Sequence, residues 1–231
     1  MFFRIARNDL RAFIVTSPMG DAWEDSMLSK TIRLWAAAAF VAVPAVAQAV
    51  PLKVVTVAAP DVNCVFDPSC KLVVTDTVGD IVIPGMIGTA VLQSRSFSGA
   101  PGAPGDGLTG YEYRVDLTQA TSQVDGSCVT DVTIDFGPLV QLQYNKVGPN
   151  DDVYVITKGG LGSVSLFSAD MTDAKIAFVF DQPVCAGVEG KKGDTSYFFG
   201  LAAKGKPTPV TASVGVPAFV PVDVKARSPI H

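Results

Sequence analysis

The residues of this chain best suited to chemistry are its four cysteines, Cys64, Cys70, Cys128 and Cys185. An even number of cysteines without a Cys-x-x-Cys spacing points to disulfides rather than to zinc or a redox pair. Three pairings are open in principle. Asp67 and Pro68 lie between Cys64 and Cys70 and favour a turn that brings those two together. The expected pairing is therefore Cys64 with Cys70 and Cys128 with Cys185. In the loop-entropy model the short bridge is worth about 2 kcal/mol and the long one about 4 kcal/mol.

Oxygen ligands gather in a second place. Asn145, Asp151 and Asp152 bracket a Gly-Pro turn and form a weak calcium candidate. Calcium takes six or more oxygens, often from alternate loop positions, and here Val147 and Pro149 stand at alternate positions. An ordinary hairpin turn is the stronger reading. The run Lys158-Gly-Gly-Leu-Gly-Ser163 has the composition of a phosphate cradle. Such cradles open a helix, whereas the following Val-Ser-Leu-Phe reads as extended, so a turn or bulge is expected.

Glu112, Asp116, Asp131 and Asp135 are the carboxylates to weigh for acid–base chemistry. A glycosidase needs two of them across a cleft, one with a raised pKa. Alternation places all four on solvent faces of strands, with Arg114 close by, so a solvated sheet face is the expectation. The sole histidine is His231, and no Gly-x-Ser-x-Gly elbow, Walker loop or His-Glu-x-x-His occurs. No catalytic residue, cofactor or firm metal site is assigned, and an enzyme is not expected.

The elements that must position these residues are strands. Tyr111, Tyr113, Val115 and Leu117 alternate with Glu112, Arg114 and Asp116, the period of a half-buried strand. Residues 128–136 repeat it, with Val132, Ile134 and Phe136 inward and Cys128 on the same parity. Residues 139–144 follow, with Val140, Leu142 and Tyr144 on one side. Further strands are predicted over 52–57, 72–75, 81–83, 87–92, 153–157, 176–180, 197–201 and 210–216, between Gly/Pro turns. In Tyr197-Phe198-Phe199, alternation aims Phe198 opposite to its neighbours, with core packing expected on both sides. Residues 98–110, rich in Gly and Pro, read as a surface connection or a binding loop. Pro217 and Pro221 mark an edge strand or an extended tail from about residue 217, able to dock by strand addition.

The fold class expected is all-β: a two-sheet antiparallel β-sandwich, Ig-like or jelly-roll-like, stapled by disulfides, rather than a closed barrel. It occupies residues 50–231 as one domain. Ahead of it, Lys30 and Arg33, the apolar residues 34–46 and the close Ala47-Gln48-Ala49 form the three parts of a secretory signal peptide over 27–49, cleaved before Val50. Residues 1–26 are then an upstream extension, disordered or not translated. The expected location is secreted or periplasmic, with no stable membrane insertion after cleavage.

The whole chain has 18 basic and 22 acidic residues. Five basic and four acidic ones precede Val50, which leaves a net charge of −5 for the rest. That sign gives no footprint for nucleic acid. The expected function is a non-catalytic structural or protein-interaction role at a bacterial-type cell envelope or outside the cell, with an unknown protein partner or a glycan. A carbohydrate-binding module is the alternative. Both tryptophans, Trp23 and Trp35, lie in the leader, so its platform would fall to tyrosines. A carboxylate-based glycan-active enzyme stands third.

Overall fold

The apolar members of the alternating segments come together between two sheets. In the computed structural model, which describes residues 47–123, 127–217 and 219–229, twelve strands form two six-stranded sheets. Sheet A runs β1 (Val50–Pro51), β8 (Leu166–Thr172), β9 (Lys175–Cys185), β6 (Cys128–Asp135), β11 (Pro207–Gly215) and β12 (Val222–Pro229). Sheet B runs β2 (Val54–Ala58), β7 (Val153–Lys158), β10 (Phe199–Ala203), β5 (Thr109–Ser122), β4 (Met86–Ser98) and β3 (Thr75–Asp80). The expected upstream extension 1–26 and residues 27–46 of the expected signal peptide lie outside the described residues.

The two sheets bury one core in a sandwich-like arrangement. Tyr111, Tyr113, Val115 and Leu117 of β5 meet Val132 and Ile134 of β6, Phe178 of β9 and Val214 of β11. Phe178 and Phe199 centre an aromatic group, with ring centroids 4.9 Å apart. The buried Tyr113 hydroxyl donates to the Arg227 carbonyl at 2.5 Å, which satisfies a polar group that would otherwise be costly inside. The parity read from the sequence over 111–117 is the parity observed.

Two expectations about the sheets need correction. The pairing is not wholly antiparallel, because β2 lies parallel to β7. The chain steps from one sheet to the other just after β1: the Leu52 amide donates to Ala169 of sheet A, and the Lys53 carbonyl accepts from Asp152 and Val153 beside sheet B. A strand that enters without a hairpin is free to run in either direction. Cys128 is only half-buried, and Val129 takes the core position instead. A register shift between Val129 and Asp131 inserts a bulge there, which moves every residue beyond it to the opposite face.

Three predicted strands are also shorter or absent. Residues 72–74 have no ladder. Ile81 and Ile83 are buried but lie outside any strand: the Ile81 amide donates to the Ala90 carbonyl of β4, and the Ile83 carbonyl accepts from the Met86 amide at the start of β4. Residues 139–144 make isolated bridges, Val140 to Ala202 and Leu142 to Asp151. The Pro-rich end forms, over Val222–Pro229, the edge strand β12, paired along its length with β11.

Both disulfides expected from spacing are present, Cys64–Cys70 and Cys128–Cys185. The turn between Cys64 and Cys70 closes through the Cys70 amide, which donates to the Asp67 carbonyl at 2.8 Å. The second bridge joins residues directly opposite each other on β6 and β9.

One layer has no counterpart in the sequence reading. The outer face of sheet B is covered by a helix, α1 (Ala59–Phe66), with Pro60 in its first turn. Val62, Val65 and Phe66 are its buried residues, at the i, i+3, i+4 spacing of a helix face. They form a second core with Phe97, Leu142, Tyr144, Tyr154, Ile156 and Phe198. The Gly/Pro connection 98–110 is docked on this layer: Ala100 and Gly105 amides donate to the Phe66 and Val65 carbonyls at 2.7 and 2.8 Å. Those are carbonyls a helix end leaves without partners. Eight residues span little more than two turns, too few for a helical period to stand out in the sequence.

Candidate functional site

The covered face of sheet B carries the charged residues of β4 and β5, and the strand register sets them in rows. One row crosses five strands: Asp76 opposite Arg95, Arg95 opposite Glu112, Glu112 opposite Gly200, and Gly200 opposite Tyr154. The Tyr154 hydroxyl donates to Glu112 Oε1 at 3.1 Å. It crosses an intervening strand to do so, and the crossing depends on Gly200. A Cβ at that position would lie 2.7 Å from the Tyr154 oxygen and would also strike the Tyr111 carbonyl. Gly200→Ala is accordingly expected to destabilise the fold by about 1–3 kcal/mol, read by urea denaturation. A variant as stable as the wild type would contradict this packing.

Arg95 Nε donates to Asp76 Oδ1 at 2.9 Å, and its guanidinium lies 4.0 Å from the centre of the Phe198 ring. Arg114 approaches the same ring at 4.9 Å and pairs with Asp116 at 3.1 Å. Phe198 itself is buried, so the two cations are held by the π face of a ring that belongs to the second core.

Glu112 is the main departure from the sequence reading. It was expected on a solvated face, and it is only 4% exposed. Period-two alternation identified its face correctly, but α1 and the Tyr154 ring cover that face. Burial pushes its carboxyl up to about 7 from an ordinary 4.5, opposed by the Arg95 charge and the Tyr154 hydrogen bond, while Asp76 adds a little in the same direction as burial. No sequence signal could have marked this residue, because the register of Gly200 and Tyr154 is needed to see it.

A cleft of about 270 Å³ opens onto Glu112. Arg95 and Phe198 lie at its floor, with Leu72, Val74, Ile156 and the Gly159-Gly160-Leu161 turn around it. Gly159 has φ +71°, a left-handed turn residue after β7, and no helix follows it. The glycine-rich run is therefore the turn expected, and it supplies a cleft wall. Leu72 also lines a neighbouring cleft of about 400 Å³ with Asp67, Val73, Phe97 and Pro207. Residues 71–74 thus stand as a strap between two openings. Val73 and Leu161 on the rims are 90% and 60% exposed.

The remaining candidates are placed as follows. Asp151 Oδ1 lies 2.7 Å from Lys53 Nζ, while Asp152 accepts from the Lys53 amide at 2.8 Å and from Gln141 Nε2 at 2.7 Å. Asn145 accepts from the Val147 amide within its own turn. Asp151 and Asp152 thus meet on Lys53 and tie this hairpin to the sheet switch, and Asn145 serves the turn. Among the described residues no group of three or more His, Cys, Asp or Glu is arranged to hold a metal ion. Asp116 accepts from the Thr118 amide and hydroxyl, and Asp131 from the Thr130 hydroxyl. Tyr111, Tyr113, Tyr144 and Tyr154 are all fully buried. No described helix is long and apolar enough to cross a membrane.

Fold and site together define a disulfide-stapled, two-sheet β protein with an added outer layer and a buried carboxyl at the floor of a cleft. Set against protein-family models, curated proteins and solved structures, the chain matches none of them.

Proposed function

We propose that this chain is an exported, non-catalytic interaction protein, secreted or periplasmic, and that the cleft over sheet B is the surface it presents to a protein partner. Export is supported by the basic–apolar–small pattern of residues 27–49 and by two disulfides, which persist in oxidising compartments. The observation that carries the interaction role is the rim of the cleft. Val74 and Leu161 stand exposed on separate segments around one charged floor, and apolar side chains grouped at an opening mark binding surfaces. The carbohydrate-binding alternative is weakened because four of the five tyrosines, Tyr111, Tyr113, Tyr144 and Tyr154, are fully buried.

One observation favours a second reading, a carboxylate-based enzyme. Glu112 sits in a cleft with its carboxyl pushed up to about 7, the condition of a general acid or base. Its neighbour Asp76 is engaged with Arg95 and Gln93 rather than held free across the cleft, which favours the binding role.

Photo-crosslinking in exporting cells tests the proposal. A benzophenone side chain at Leu161 is expected to give a discrete protein adduct that disappears when Val74→Asp is added. The same group at Phe167, 78% exposed on sheet A, is expected to give none. Equal adducts from both positions, or none from Leu161, would remove the cleft as the interaction surface.

A further inference from the structure

Glu112 has acceptor capacity that the fold leaves unused. A carboxylate offers about four lone-pair positions, and the one hydrogen bond it receives among the described residues comes from Tyr154. Its cross-strand neighbour Arg95 is already committed, held over Phe198 and bonded to Asp76. Around the carboxyl the charges do not balance: Asp76 from β3 and Glu112 from β5 supply two negatives against one guanidinium from β4. Arg114 is balanced by Asp116 on its own strand. From β7 the facing group is the Tyr154 phenol, held well above its usual range by burial and so neutral. From α1 it is Asn63, which is uncharged. The floor therefore carries one negative charge when Glu112 is ionised.

The walls above that floor are apolar, formed by Leu72, Val74, Ile156 and Leu161. An occupant that matches both features has an aliphatic stem and a compact cation at its tip. A guanidinium suits a carboxylate free at both oxygens, whereas one oxygen here is already held by Tyr154. An ammonium is smaller and satisfied by one oxygen. Anionic groups are repelled by the floor.

We propose that the cleft receives a lysine side chain of the partner protein, its stem against Leu72, Val74 and Leu161 and its ammonium on the Glu112 carboxylate. This rests on the cleft being the interaction surface. Binding then follows the ionisation of Glu112, because lysine stays charged throughout the range involved. With the free carboxyl at about 7, affinity rises about tenfold between pH 6 and pH 8.

NMR titration of the full oxidised chain tests this, with Nα-acetyl-lysine methylamide as probe. At pH 8 the probe is expected to move the signals of Glu112, Phe198 and Leu161, about tenfold more tightly than at pH 6. Its Nε-acetylated form is expected to bind at least about tenfold more weakly. Glu112→Gln, which keeps an acceptor for Tyr154, is expected to remove the pH difference and to weaken the probe at pH 8 to the level of the acetylated form. Unmoved cleft signals at both pH values, or equal binding to the variant, would overturn the inference. Tighter binding of n-pentylammonium than of the lysine probe would also overturn it, in favour of a free amine. Cleft signals that ignore lysine while the Leu161 adduct persists would sink the lysine assignment alone. Loss of that adduct with lysine binding intact would sink the interaction surface alone.

Discussion

Glu112→Gln is expected to raise the stability of the protein by about 3 kcal/mol at pH 8 and to change it little near pH 4. The sign follows from linkage. The carboxyl titrates at about 7 in the folded protein, against an ordinary 4.5. Folding therefore holds a proton that the unfolded chain releases anywhere between those values. Stability is undiminished below about pH 4.5, falls as the pH climbs towards 7, and stays at the lower level above it. Each pH unit in that window costs about 1.4 kcal/mol. Glutamine keeps the shape and the acceptor that Tyr154 uses, and it cannot ionise. Urea denaturation at pH 4, 5.5 and 8 reads the difference. Equal stability of the two proteins at pH 8 would mean that the Glu112 carboxylate is solvated.

Replacing Cys128 and Cys185 together by serine is expected to cost about 4 kcal/mol and to lower Tm by roughly 10 °C. Removing Cys64 and Cys70 costs about half as much. The difference comes from the chain enclosed, 57 residues of separation against 6. The longer bridge also sits past the bulge of β6, where the rung from Cys128 to Cys185 and its neighbour stand apart from the rest of the ladder. That end of the β6–β9 pair is otherwise held by the buried Val129 and Val184 and by the Ala186 amide on the Ser127 carbonyl. The shorter bridge acts on the outer layer, where it fixes the end of α1 to the start of the strap. Its loss is expected to loosen the cleft while the inter-sheet core stays intact. Equal stability losses from the two double variants would contradict that division.

The sequence made one layer of this molecule legible and concealed the other. Alternation identified the inward residues of β5 because each side chain takes its face from the pleat alone. Turn chemistry at Asp67-Pro68 indicated the cysteine pairing for an equally local reason. What alternation cannot say is whether the outward face meets water. At Glu112 it does not, because the Tyr154 side chain reaches across Gly200 onto it, within an outer layer whose helix is too short to show a period. A bulge likewise defeated the parity argument at Cys128, since one inserted residue reverses every face beyond it. The parallel pairing of β2 with β7 joins segments about a hundred positions apart with no turn between them, so nothing local announces it. Phe198 carried a visible signal of its own. Three consecutive aromatic residues on a strand must place a ring on the second face, and that ring is the support for Arg95 and Arg114.

The most direct test is the titration of the Glu112 side-chain carboxyl by carbon-detected NMR in the full oxidised chain. A midpoint near pH 7, shared by the signals of Tyr154 and Phe198, is expected for a carboxyl enclosed by the second layer at the floor of a cleft. A midpoint near 4.5, with Tyr154 and Phe198 unaffected, would return Glu112 to an open, solvated sheet face and remove the basis for the cleft as a site.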